Sequence, residues 1–180
     1  MEAARLSASN SCMEEFLTNE LNYVYALLVF FAAWFFTQRI KYRKLDKIAS
    51  RLNAKRNGKL IVGEKGHVAY VISFEDGYSG GSATGPGTVG HKSNVRIIVE
   101  KETDYCFELC DPNLEGVSED LKNRVGIESI LRLFELGFNK IMSNGKSVEI
   151  SISPATLGKN VTGEILEDAV SKLVKITSAL

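Results

Sequence analysis

The chain has 180 residues, 22 basic and 22 acidic side chains, 44% apolar residues and three cysteines. Its neutrality hides a segregation: residues 1–20 carry −3, residues 39–59 carry +8, and residues 60–180 carry −5. Beyond the basic segment about 120 residues remain, enough for one domain with a real core and too few for two.

The first twenty residues, with Arg5 against Glu2, Glu14, Glu15 and Glu20, are small and polar and show no sustained period. They read as a mostly flexible tail (1–20). Leu21 to Thr37, LNYVYALLVFFAAWFFT, then runs without a charge. At ~1.5 Å per residue it makes a helix of about 26 Å, near the short end of what spans ~30 Å of hydrocarbon. Tyr23, Tyr25 and Trp34 set aromatics toward both ends, as in membrane-facing helices. A soluble core helix is rarely apolar on every face. A cleaved signal would need a basic leader and a small-residue exit, and this run is preceded by acids and followed by Gln38-Arg39. The segment 21–38 is therefore predicted to be a single transmembrane helix that is retained as an anchor.

Arg39, Lys41, Arg43, Lys44, Lys47, Arg51, Lys55, Arg56 and Lys59 follow, against Asp46 alone. Basic residues keep their side of a span in the cytoplasm, so the N-terminus is expected outside and the C-terminal domain inside. The collar of Arg39, Lys41, Arg43, Lys44 and Lys47 is expected to meet a lipid bilayer with anionic headgroups. A nucleic-acid patch is the competing meaning of such a cluster; abutment to the span favours the membrane, and no nucleic acid is expected as partner. Leu45, Ile48, Ala49 and Leu52 recur at helical spacing, which continues the helix through Arg51 and gives a stalk (39–57) ended by Asn57-Gly58. The stripe of Leu45, Ile48 and Leu52 needs a cover: the chain's own domain, another copy forming a homo-oligomer, or a protein partner.

The remainder, 58–180, reads as an α+β domain. Lys59–Val62 is a short strand, Gly63-Glu64-Lys65-Gly66 a turn, and His67–Phe74 alternates with Val68, Tyr70, Ile72 and Phe74 on one face. Asn94–Glu100 and Tyr105–Cys110 are strands joined by Lys101–Asp104, short enough for an antiparallel hairpin. Ser118 caps a helical turn through Arg124, and Ile127, Ile130, Leu131 and Phe134 mark a helix stopped by Gly137. Asn144-Gly145 turns a hairpin over Phe138–Ser153, setting Ile141 opposite Val148 and Lys140 opposite Glu149; Pro154 closes it. Asn160 or Thr162 opens a last helix with a broad apolar stripe from Ile165 to Ile176. Strands and helices are grouped rather than alternating, which predicts a small antiparallel sheet with helices packed on one face.

The stretch 75–93 is glycine-rich and contains two motif-like runs. Gly77-Tyr78-Ser79-Gly80-Gly81 satisfies G-x-S-x-G, but the nucleophile elbow needs a helix after its serine, and Gly85-Pro86-Gly87 will not hold one. Gly85 to Ser93 resembles a P-loop with His91 inserted before Lys92, yet Asn94–Glu100 is a strand where that motif opens a helix. A looser anion or small-ligand site, or an enzyme site, would use Ser79, His91, Lys92 and Ser93. Cys106, Glu108 and Cys110 alternate on one strand, one ligand short of a structural zinc site, and free cysteines are commonly small packed hydrophobes. No catalytic residue, metal or cofactor is assigned. The expected function is that of a membrane-anchored, non-catalytic binding or scaffolding module, possible as an accessory subunit of a membrane complex; the alternative is a ligand-binding domain or enzyme built on the glycine-rich loop.

Overall fold

The computed structural model describes residues 2–78, 91–114 and 118–180, with side chains from residue 21 onward except at 76–78 and 91–93. The first helix, α1, runs Glu2–Arg51, and the chain divides into two compact units, Met1–Tyr42 and Arg43–Leu180. In the first unit the large apolar side chains between Leu21 and Phe36 are 52–73% exposed. The helical segment Leu21–Arg51 is long and apolar enough to cross a membrane, and none of its most apolar window is buried within the chain. A soluble core helix would have that window covered.

The second unit is built on one seven-stranded sheet. Its strands are β1 (Lys55–Asn57), β2 (Leu60–Lys65), β3 (Val68–Tyr78), β4 (His91–Glu100), β5 (Cys106–Leu109), β6 (Lys140–Asn144) and β7 (Ser147–Ala155). They lie in the order β1-β2-β3-β4-β7-β6-β5, and every neighbouring pair is antiparallel. Period-two patterning puts one apolar row across the inner face: Ile61, Ile72, Ile97, Ile150, Ile141 and Leu109 are cross-strand partners in turn. All six are at most 4% exposed, as branched side chains on a covered pleat should be.

Helices α2 (Glu119–Val125), α3 (Ile127–Glu135) and α4 (Gly163–Ala179) accompany the sheet, with α4 against β2, β4 and β7 and with α2 and α3 against α4. Ser118 caps α2 and Thr162 caps α4, each accepting a backbone N–H three residues on, as expected from the sequence. Leu166, Ala169, Val170, Leu173 and Ile176 are fully buried along α4. In α3 the buried residues are Ser129, Ile130 and Leu133, so the inward stripe is rotated away from Ile127, which is 41% exposed. The α+β class and the helices beside an antiparallel sheet are as predicted.

Four local expectations are corrected. α1 ends at Arg51 because Asn53 takes the left-handed conformation (φ 50°); Lys55–Asn57 is then a strand, and Gly58 (φ 62°) turns β1 into β2 rather than ending a helix. The next turn is Gly66-His67, both at positive φ, so Gly63–Lys65 belong to β2; two left-handed central residues are what a two-residue hairpin needs. β4 and β5 do not form a hairpin. The backbone of Lys101–Asp104 instead crosses the β6–β7 tip, Lys101 N–H donating to Lys146 O and Thr103 N–H to Gly145 O, both at 3.0 Å. Lastly, Ile141 faces Ile150, and Lys140 faces Ser151. Asn144 closes the turn with its side chain, accepting from Lys146 N–H and Ser147 N–H at 2.9 Å, which moves the turn one residue later and the register by two. A shift of two preserves the face, so the apolar side stays inward.

Candidate binding surface

The helices that touch the sheet leave its other face without a covering element among the described residues. Two cross-strand rows define that face. One reads Lys55, Val62, Val71, Ile98, Glu149, Met142 and Glu108 from β1 to β5. The other reads Asn57, Leu60, Ser73, Arg96, Ser151 and Lys140. The first is apolar over β2, β3 and β4, and Leu60 and Val62 are 41% and 45% exposed. The neighbouring charges are held in pairs: Arg96 reaches Glu75 at 3.1 Å and Glu149 at 3.8 Å, and Lys140 reaches Glu108 at 2.9 Å. The hydrogen bond from Lys140 holds the Glu108 carboxyl below its ordinary range and raises the lysine in return. An apolar centre with a paired polar margin is the layout of an interaction surface. The sequence carried its signal in the outward positions of β2, β3 and β4, where Leu60, Val62, Val71 and Ile98 stand in place of polar residues.

The stripe of Leu45, Ile48 and Leu52 is covered by the chain itself: the three are 0%, 6% and 9% exposed within the unit Arg43–Leu180. Of the three covers weighed from the sequence, the structure shows the chain's own domain. That unit begins at Arg43 and so takes in most of the segment expected as a stalk. Tyr70 donates to Leu52 O at 3.3 Å, joining the end of α1 to β3.

The basic segment is divided in its contacts. Arg51 bridges Glu164 and Glu167 at 3.0 and 2.9 Å, and Arg56 pairs with Asp46 at 2.5 Å. Lys44 donates to Leu157 O at 3.3 Å. Arg43, Lys44 and Lys47 are exposed; Arg39 and Lys41 belong to the first unit. Lys47, Ile48, Arg51, Thr162, Gly163 and Glu164 line an open depression of about 400 Å³, where the carboxylate of Glu164 already answers Arg51.

Ser79, proposed with the glycine-rich motifs, lies outside the described residues. His91, Lys92 and Ser93 lie on β4, paired with Tyr78, Gly77 and Asp76, and their side chains are likewise outside the description. The strands thus reach further into the glycine-rich stretch than its composition suggests. Cys106 and Cys110 are free and exposed, the Cys110 thiol donating to Glu108 at 3.6 Å. Among the described residues no group of three histidine, cysteine or carboxylate side chains converges as a metal site. At the other side of β5, Tyr105 donates to Asp120 at 2.6 Å beneath Arg124. That bond raises the phenol and lowers the carboxyl. No protein-family model matches this sequence, and no curated protein or solved structure is significantly similar to it.

Proposed function

We propose that the chain is a single-pass membrane protein whose α+β domain is a binding or scaffolding module held at the cytoplasmic leaflet, its N-terminus on the far side. The observation that carries this reading is the helical run Leu21–Phe36, apolar on every side and left uncovered by the described residues. Left in water, such a surface far exceeds the apolar patches soluble monomers tolerate. The basic residues that follow it favour retention of the C-terminal side in the cytoplasm and attraction to anionic headgroups. A module fixed in this way gains effective concentration for partners at the same leaflet.

The partner contact moves with the geometry. With Leu45, Ile48 and Leu52 buried at home, the uncovered sheet face around Val62, Val71 and Ile98 is the better place for a protein partner or a second copy. Alkaline extraction of membranes from expressing cells tests the anchor: the chain stays in the membrane pellet, and release into the wash overturns the reading. A reporter fused after Leu180 tests orientation and is active only in the cytoplasm. Co-purification in mild detergent, repeated with Ile98→Glu, tests the module; partners retained equally by that variant would remove the sheet face from the proposal.

A further inference from the structure

The loop between β7 and α4, residues 156–162, lies beside the first residues of the globular unit. Lys44 Nζ bonds Leu157 O at 3.3 Å. A β-carbon on Gly158 would stand 3.4 Å from that ammonium, and one on Gly163 would stand 2.9 Å from Arg51 Cδ. At Gly158 that is ordinary contact, and only Gly163, the first residue of α4, gives needed room to Arg51; the bond from Lys44 is what ties the loop to this end of the domain. This brings Lys159, exposed at the loop's tip, to the same end of the domain as Arg43, Lys44 and Lys47, which are also exposed. The acids at this end, Asp46, Glu164 and Glu167, are each engaged by Arg56 or Arg51. Counting all nine gives six positive and three negative charges, and the positive remainder lies on Arg43, Lys44, Lys47 and Lys159.

The opposite end differs. Lys101 donates to Thr177 O in the last turns of α4, and beside it lie Glu100, Glu102 and the β6–β7 tip with Lys146. α4 separates the two ends by about 25 Å. In the sequence, Arg43 follows Thr37, where the uncharged run ends, by six residues.

We infer that the loop 156–162, with Lys159, is a second membrane-contacting element. Together with Arg43, Lys44 and Lys47 it forms a basic pole that meets anionic phospholipid headgroups and sets which end of the domain faces the leaflet. The inference rests on the membrane-anchored reading above. An anionic leaflet attracts this pole and repels the acidic remainder of the domain, so charge gives an orientation as well as a tether.

The test uses the full chain in lipid nanodiscs, its own cysteines replaced by serine, with a fluorophore on Thr156→Cys or, as the distant control, on Lys146→Cys. Both positions are exposed. Phosphatidylcholine carrying a headgroup spin label is the quencher, with or without phosphatidylglycerol. With phosphatidylglycerol, quenching at 156 exceeds that at 146 by about threefold or more; the excess shrinks at ~1 M salt, where the screening length falls to ~3 Å. The excess also falls in the Arg43→Gln, Lys47→Gln, Lys159→Gln chain, whose circular dichroism is unchanged. Equal quenching at both positions, or an excess indifferent to anionic lipid, salt and these three charges, overturns the inference. If the chain instead washes out of membranes at alkaline pH, it is the anchor that has failed, and this inference falls with it.

Discussion

Tyr70 donates its phenolic hydrogen to the carbonyl of Leu52, the last residue before the left-handed Asn53. The ring reaches that carbonyl only because its cross-strand partner is Gly63; a β-carbon there would collide with the Tyr70 hydroxyl and with Ala54. Gly63 thus acts as the clearance through which the end of α1 is joined to the sheet. Gly63→Ala must displace a 2%-exposed aromatic ring, and overpacking of that kind costs about 1–3 kcal/mol. Tyr70→Phe keeps the ring, loses one bond and leaves Leu52 O unanswered, for about 1 kcal/mol. Chemical denaturation of the two variants checks the order: a larger loss from Tyr70→Phe than from Gly63→Ala would mean that the glycine is not there for space.

Leu45 distinguishes a core residue from a docking residue. It is fully buried within the globular unit, so Leu45→Ala removes packed methyl groups and costs about 2–5 kcal/mol. Its exposed helix neighbour Lys47, changed to Gln, leaves stability unaltered. Thermal unfolding followed by circular dichroism checks the pair. A Leu45→Ala protein as stable as the parent, but altered in assembly, would return the stripe to the role of an external contact.

What could be read in advance, and what could not, follows from the range of the interactions. Ser118 caps the helix it was expected to cap, and Thr162, one of the two candidates with Asn160, caps the last, because a cap is decided within four residues. Tyr70, Ile72 and Phe74 face inward as alternation required. Pairing is a longer-range matter. Nothing local in Lys101–Asp104 says that the chain will cross the tip at Gly145 and leave β5 beside β6, with both β7 and β6 between it and β4. The two-residue register shift at Asn144 was hidden because both registers put Ile141 and Val148 on the same face. The candidate surface was legible only in part. The basic collar and apolar run stand out from composition, whereas the sheet face left only a partial signal, Leu60, Val62, Val71 and Ile98 at outward positions, whose meaning needs the strand order and the placement of the helices.

The exposed ion pairs predict a pH dependence confined to the extremes. Lys140 holds Glu108 below the ordinary 4.5, and Tyr105 with Arg124 holds Asp120 below 3.8. A carboxyl depressed by folding contributes stability above its ordinary value and loses it as pH falls through the lowered one. Lys140 and Tyr105 are raised above 10.5 and 10.0, so their contributions are complete below those values and vanish as pH rises through the raised ones. All four are solvent-screened, so each effect is small. Carboxyl chemical shifts followed through acid titration check the first pair: in Lys140→Met the Glu108 midpoint rises toward 4.5. An unmoved midpoint would assign the depression to something other than the lysine.

Ile97 and Ile98 are consecutive residues of β4 on opposite faces, and together they test whether the outer face is bare in the isolated chain. Ile97, cross-strand partner of Ile72 and Ile150, is fully buried, and Ile97→Ala opens a cavity worth about 2–5 kcal/mol. Ile98 lies between Val71 and Glu149 on the face no described element covers and is only partly buried, so Ile98→Gln exchanges a partly buried apolar group for a polar one that can reach water. Its cost stays below about 1 kcal/mol, as for surface substitutions generally. In denaturation of detergent-solubilised protein the two variants therefore separate clearly. Equal losses would mean that the outer face is packed after all, by a second copy or by a part of the chain not described, and the contact surface would then have to be sought elsewhere on the domain.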